Sequence, residues 1–136
     1  GTPSMVGVAI ILSILITTFI TGGFNTETIF CIVIMLMFGS VGFADDYIKV
    51  IRKNNLGLRA WQKFSLQVVF SVIIAFWAAK VFGTTVYIPF ADRMADFGGW
   101  YIPFIAFAIV AMTNAVNLTD GLDGLAAGCT LISALA

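Results

Sequence analysis

Two stretches of this chain, Met5 to Thr21 and Thr28 to Ala44, carry no charged side chain at all. At roughly 1.5 Å per helical residue each is about 25 Å long, enough to cross a hydrocarbon layer with help from its flanks. Phe64 to Gly83 is interrupted only by Lys80, whose long stem can carry its charge back to the interface. Tyr101 to Leu118 is a fourth such run, and Gly124 to Ala136 begins a fifth. A backbone in lipid has no water to satisfy its amides, so these runs must be helices. The expected fold is therefore all-α, a polytopic membrane helical bundle of about five spans, near 5–21, 28–44, 64–83, 101–118 and 124–136. The connections of interest are a charged loop at 45–63 and a second loop at 84–100.

Composition narrows the chemistry. The chain is 60% hydrophobic and only 10% charged, with seven bases balanced by seven acids. Nucleic-acid binding, which needs a basic surface, is thereby disfavoured. There is no His, so within this stretch no imidazole base or ligand exists. Cys31 and Cys129 lie far apart in apolar runs and read as free, packed thiols. The chain opens on Gly1 and stops at Ala136 inside an apolar run, which reads as a piece of a longer protein.

Gly22, Gly23 and Asn25 predict a tight turn between the first two spans, and Thr85-Val-Tyr-Ile-Pro89 predicts a short extended piece in the second loop. Lys49, Arg52, Lys53, Arg59 and Lys63 all fall between the second and third spans, so the positive-inside rule places that loop in the cytoplasm. Two crossings later the chain returns to the same side at Asp120 and Asp123. Parity thus puts Asp45, Asp46, Asp120 and Asp123 on one face, with Glu27, Asp92, Arg93 and Asp96 on the other.

Asp45 and Asp46 follow directly on an apolar run, where a carboxylate must meet a cation, a metal or water. On a continuing helix, Asp45, Lys49 and Lys53 stand four residues apart along one stripe, and Asp46 points about 100° away. Ordinary pairing at a solvated helix end would explain that stripe as well. Further on, Asn114, Asn117, Asp120 and Asp123 recur every third residue and would give a helix face rich in oxygen ligands, with Gly121 and Gly124 leaving backbone uncovered beside the acids. An interfacial turn with Asp120 as a helix cap would explain one of these acids. Hard carboxylates beside Lys and Arg suit a Mg²⁺-dependent reaction on phosphates.

Three stretches carry a resemblance: Gly1-Thr-Pro-Ser-Met5; Gly42-Phe-Ala-Asp-Asp-Tyr-Ile-Lys-Val50 with Asn55-Leu-Gly-Leu-Arg-Ala-Trp-Gln-Lys63; and Asn114-Ala-Val-Asn-Leu-Thr-Asp-Gly-Leu-Asp-Gly-Leu-Ala126. Here the chain resembles the phospho-N-acetylmuramoyl-pentapeptide-transferases, a branch of the polyprenyl-phosphate N-acetylhexosamine-1-phosphate transferase superfamily (glycosyltransferase 4 family). The resemblance implies transfer of phospho-N-acetylmuramoyl-pentapeptide from UDP to undecaprenyl phosphate in the bacterial cytoplasmic membrane. UMP is released, Mg²⁺ is the cofactor and the active face is cytoplasmic. The implied partners are UDP-N-acetylmuramoyl-pentapeptide, undecaprenyl phosphate and the lipid bilayer, with no nucleic acid; a homodimer is an admissible assembly. By motif match Asp45, Asp46 and Asp123 are the catalytic candidates. Lys49, Lys53, Asn117 and Asp120 are the substrate-binding candidates, and Asp46, Asn117, Asp120 and Asp123 the metal ligands.

Members of that family are longer and supply a further metal-binding aspartate and a His-rich cytoplasmic loop from their later half, so residues 1–136 alone are expected to be inactive. The mechanism stays open between direct attack by the lipid phosphate, with Asp45 as base, and a transient covalent carboxylate acceptor. Three other readings remain: a transferase using UDP-N-acetylglucosamine, a transporter or channel built on intramembrane acids, and a plain membrane anchor.

Overall fold

The computed structural model describes residues 6–52, 57–119 and 124–135. Five α-helices account for most of them: α1 (Val6–Thr21), α2 (Thr26–Arg52), α3 (Ala60–Phe82), α4 (Tyr101–Thr119) and α5 (Leu125–Leu135). Two short strands, β1 (Thr85–Ile88) and β2 (Arg93–Asp96), form an antiparallel pair between α3 and α4. The fold is all-α and of the membrane class. Three helical segments, Thr26–Ile51, Ala60–Phe82 and Gly98–Thr119, are long and apolar enough to cross a bilayer, while Gly7–Thr21 is a shorter apolar helix.

The chain forms two compact units, one through residue 70 and one from residue 71 onward. In the first, α1 and α2 are joined by a turn in which Gly22 takes φ +66°, a left-handed conformation that a side chain would strain. Asn25 then caps α2, its Oδ1 accepting the Thr28 N–H at 2.7 Å. Glu27 in the first turn adds negative charge where the helix dipole is positive. The two helices approach closely where Gly39 faces Ile11, since a Cβ at position 39 would lie 2.6 Å from the Ile11 Cδ1. Along α1, Ser13, Thr17 and Thr18 each donate their hydroxyl to the carbonyl four residues earlier, so no hydroxyl needs water in an apolar environment.

Helix α2 runs 27 residues and does not stop where its apolar run does. From Glu27 to Asp45 it rises about 27 Å, close to the hydrocarbon thickness, and the helix then carries Asp45 to Arg52 beyond that boundary. Phe38 meets Phe70 of α3 edge to face, with centroids 6.2 Å apart. On α3 the buried residues Gln67, Ser71, Ile74, Ala75 and Ala78 share one stripe, and most are small, the composition that lets a helix be approached closely.

In the second unit the extended piece at Thr85 is present, and its partner is Arg93–Asp96, in the register Thr85 to Asp96 and Ile88 to Arg93. Pro89–Ala91 forms a 3₁₀ turn at the tip, closed by Asp92 at φ 44°. The base is tied by the Phe97 N–H donating to the Thr84 carbonyl at 3.0 Å. The Asp96 Oδ1 accepts both the Thr84 hydroxyl and, at 2.9 Å, the Gly98 N–H. Phe97 then stacks on Phe104, centroids 5.0 Å apart, which joins the hairpin base to the first turn of α4. Residue 124 turns the chain into α5 with φ +81°.

The Thr84 hydroxyl and the Gly98 amide hold the Asp96 carboxyl below its usual 3.8. A carboxylate that binds its proton less readily in the folded state stabilises that state fully above the ordinary value. The contribution disappears as pH falls through the lower folded value. The protection of the Gly98 amide, the factor by which its exchange is slowed relative to the intrinsic rate at the same pH, should therefore be high near neutral pH and fall below the usual carboxylate range, and Asp96→Asn should remove that fall.

Candidate functional site

Asp45 sits where the apolar part of α2 ends, and its residue is only 4% exposed. A bare carboxylate so buried would be strongly destabilising, and neutralising partners surround it. Its Oδ2 accepts the ammonium groups of Lys49, at 2.7 Å, and Lys63, at 2.8 Å. Its Oδ1 accepts the Leu58 N–H at 2.7 Å. Lys49 comes from the next turn of the same helix, as four-residue spacing dictates. Lys63 comes from the first turn of α3, and Leu58 from the segment leading into it.

The entry to α3 is shaped to deliver both. Gln62 Oε1 accepts the Arg59 N–H at 3.0 Å, and the Arg59 carbonyl accepts the N–H groups of Gln62 and Lys63. This is one half of a capping box, with glutamine three residues into the helix reaching back to the cap. Gly57 lies against the ion cluster: a Cβ there would stand 2.7 Å from the Asp45 Cγ and 2.9 Å from the Lys49 Cε. Any side chain at 57 would drive the segment off the carboxylate. Beside the cluster a cleft of about 270 Å³ is lined by Ile48, Gly57, Leu58, Arg59 and Gln62.

Asp46 is placed differently. Rotated about 100° from its neighbour, its side chain is 38% exposed and its Oδ1 lies 3.6 Å from the Lys49 ammonium. The two adjacent acids thus divide into a buried, neutralised anion and a water-facing one. This division decides which could hold a cation. Asp45 already receives three donors, so a metal would have to displace lysines from it. The more exposed Asp46 side chain is accessible to a hydrated cation such as Mg²⁺.

Of the residues nominated from sequence, the structure brings together Asp45, Asp46 and Lys49. Asn117 is exposed in the last turn of α4. Asn114, three residues before it, donates its amide to the Val110 carbonyl at 2.8 Å. Lys53, Asp120 and Asp123 lie outside the described residues. Among the described residues, no three His, Cys, Asp or Glu side chains converge as a ready-made metal site. Gly57, Leu58 and Lys63 fall in a stretch that carries the sequence resemblance, and Lys63 among the loop cations, but the sequence gives none of the three a place in the site. The available signal was the Gln-Lys pair opening α3, at the start of an apolar run.

The family model described as glycosyl transferase family 4 matches residues 28–136. A phospho-N-acetylmuramoyl-pentapeptide-transferase of Heliobacterium modesticaldum is 45% identical over 138 residues, covering 100% of this chain and 43% of the relative. Enzymes of the same name from a Thermoanaerobacter species and from Clostridium botulinum are 45% and 42% identical, each over 97% of this chain. The chain spans between 41% and 43% of the length of these curated relatives.

The cluster makes stability predictions. Lys63→Met removes one cation from a buried carboxylate and should destabilise by about 3 kcal/mol, the low end for breaking a buried pair because Lys49 remains. Gly57→Ala should cost about 1–3 kcal/mol through overpacking. Adding Asp45→Leu to Lys63→Met should recover part of the loss, since the buried and now under-neutralised carboxylate goes with it. Thermal unfolding of the purified variants in lipid nanodiscs reads all three, and a Lys63→Met variant as stable as the parent would show that the clamp carries no weight.

Proposed function

The chain belongs to glycosyl transferase family 4, and we propose that it serves in the transfer of phospho-N-acetylmuramoyl-pentapeptide from UDP to undecaprenyl phosphate, with release of UMP. The observation that carries this reading is similarity along the entire chain to enzymes of that name. The ion cluster at the end of α2 supports it. The donor is a nucleotide diphosphate sugar and the acceptor a lipid phosphate whose headgroup lies at the depth of that cluster. The five cations from Lys49 to Lys63 support a cytoplasmic orientation of this face, and the proposed reaction belongs to the bacterial inner membrane.

An ammonium group has three donors. Lys49 and Lys63 spend donors on Asp45, which fixes their position, and keep others for phosphate oxygens. Asp45 in this reading is the anchor of a preorganised cationic site, stabilising the negative charge that moves toward departing UMP. Asp46 has the exposure to hold Mg²⁺, and the sequence resemblance nominates Asn117, Asp120 and Asp123 as metal ligands. When bound, the ion supplies neutralisation of the diphosphate charge. Lys53 is proposed for the substrate on the same resemblance. The donors on both Asp45 oxygens argue against a covalent intermediate on that residue and equally against its acting as base, so direct attack by the lipid phosphate is read with Asp45 as the anchor of the cations.

The test is UMP release by the complete protein in lipid, with Mg²⁺ and each sugar nucleotide in turn. Asp46→Asn should lower kcat about 100-fold or more, the scale for losing one charge-stabilising group, while thermal stability hardly changes. Near-normal turnover in both Asp46→Asn and Asp123→Asn would sink the assignment. Turnover of UDP-N-acetylglucosamine alone would move the protein to a sister activity.

A further inference from the structure

The hairpin between α3 and α4 carries apolar groups that a loop immersed in water does not need. Phe90 at its tip is fully exposed, at 104%. Tyr87 and Met94, cross-strand partners on one face, are 51% and 64% exposed. The tip is braced: Pro89 opens a 3₁₀ turn, Asp92 closes it in the left-handed region, and the Tyr87 hydroxyl donates to the Asp92 Oδ1 at 2.7 Å. Phe90 is therefore held out from the chain instead of folding onto it.

What lies beside these side chains follows from where the hairpin is tethered. Only Gly83 and Thr84 separate β1 from the end of α3, and Phe97 to Trp100 separate β2 from α4. Both helices are long and apolar enough to cross a bilayer, so both tethers leave from one membrane surface. A four-residue strand reaches only about 13 Å, which keeps the tip within reach of the headgroup layer. The aromatic surface is also continuous: Trp100 is 77% exposed, and an open groove of about 540 Å³ beside Phe97, Phe104 and Phe107 leads from the hairpin base along α4. Aromatic side chains at such a level are suited to the interfacial belt.

We propose that residues 85–96 form a membrane-surface anchor, with the Tyr87 and Met94 face against the headgroups and Phe90 entering the lipid. Arg93, on the opposite face as the partner of Ile88, stays in water. The occupant of the patch is a lipid surface, the same one that receives α3 and α4, and the proposal stands whatever reaction the protein catalyses.

Spin labels test it in the complete protein, reconstituted in phosphatidylethanolamine and phosphatidylglycerol vesicles. Cys31 and Cys129 are replaced by Ser, and single cysteines are placed as Phe90→Cys, Met94→Cys and Arg93→Cys. The ratio of oxygen to nickel-chelate accessibility should be several-fold higher at 90 and 94 than at 93. Equal ratios at the three positions would place the hairpin in water and overturn the anchor. Low accessibility to both reagents at 90 and 94 would mean that protein covers the patch, which overturns it equally. Because 90 and 94 lie on different parts of the hairpin, failure of one variant to fold leaves the other as a test.

Discussion

A carboxylate at the edge of the hydrocarbon layer has to be neutralised or hydrated, and at Asp45 hydration has been given up. With its residue almost wholly inaccessible, the charge is carried by two ammonium groups and one backbone amide. Each partner arrives by a different route. Lys49 follows from helix periodicity, Leu58 from a segment that must pass close to α2, and Lys63 from the start of α3. The close passage requires a residue without a Cβ at 57, and the direction of α3 is held by the Arg59 and Gln62 cap. Burying one acid therefore fixes where the segment from Gly57 to Lys63 meets α2. It also leaves the cations with donors to spare.

The sequence discloses much of this because apolar run length, charge asymmetry and four-residue spacing are local quantities. The five helices, the turn at Gly22 and the extended piece at Thr85 can all be read that way. What cannot be read is whatever depends on distance through space. Lys63 stands 18 positions beyond Asp45 and looks like any other loop cation. The second strand, Arg93-Met-Ala-Asp96, has no alternation of its own and exists because β1 offers it a ladder. The run from Asp45 to Arg52 looks like a loop by hydropathy, yet it is helix, because an acid followed four residues later by a base supports the helix outside lipid as well.

The polar ladder of α4 shows the opposite lesson. Spacing every three residues makes Asn114 and Asn117 look like one ligand face. In the structure the Asn114 amide donates to the Val110 carbonyl, as a polar group on an apolar helix often must. Thr113 and Thr119 similarly bond carbonyls of their own helix. Self-satisfaction accounts for the Asn114 amide nitrogen and the two hydroxyls, while Asn117 is exposed in the last turn of the helix.

Adjacency of Asp45 and Asp46 has a physical consequence that neither residue would have alone. Two carboxylates in one solvated site repel, and their combined charge would draw one proton or one metal indiscriminately. A helix separates them by about 100° of rotation, and here that turn is the difference between burial and water. Lys49 touches both, at 2.7 Å and 3.6 Å, so the buried acid fixes the cation that partly offsets the exposed one. Exchanging the two environments would take more than exchanging side chains, because both residues are already aspartate. The distinction between them is made by the backbone position of Gly57 and the first turn of α3, and that is where changes in the balance of charge at this site should originate.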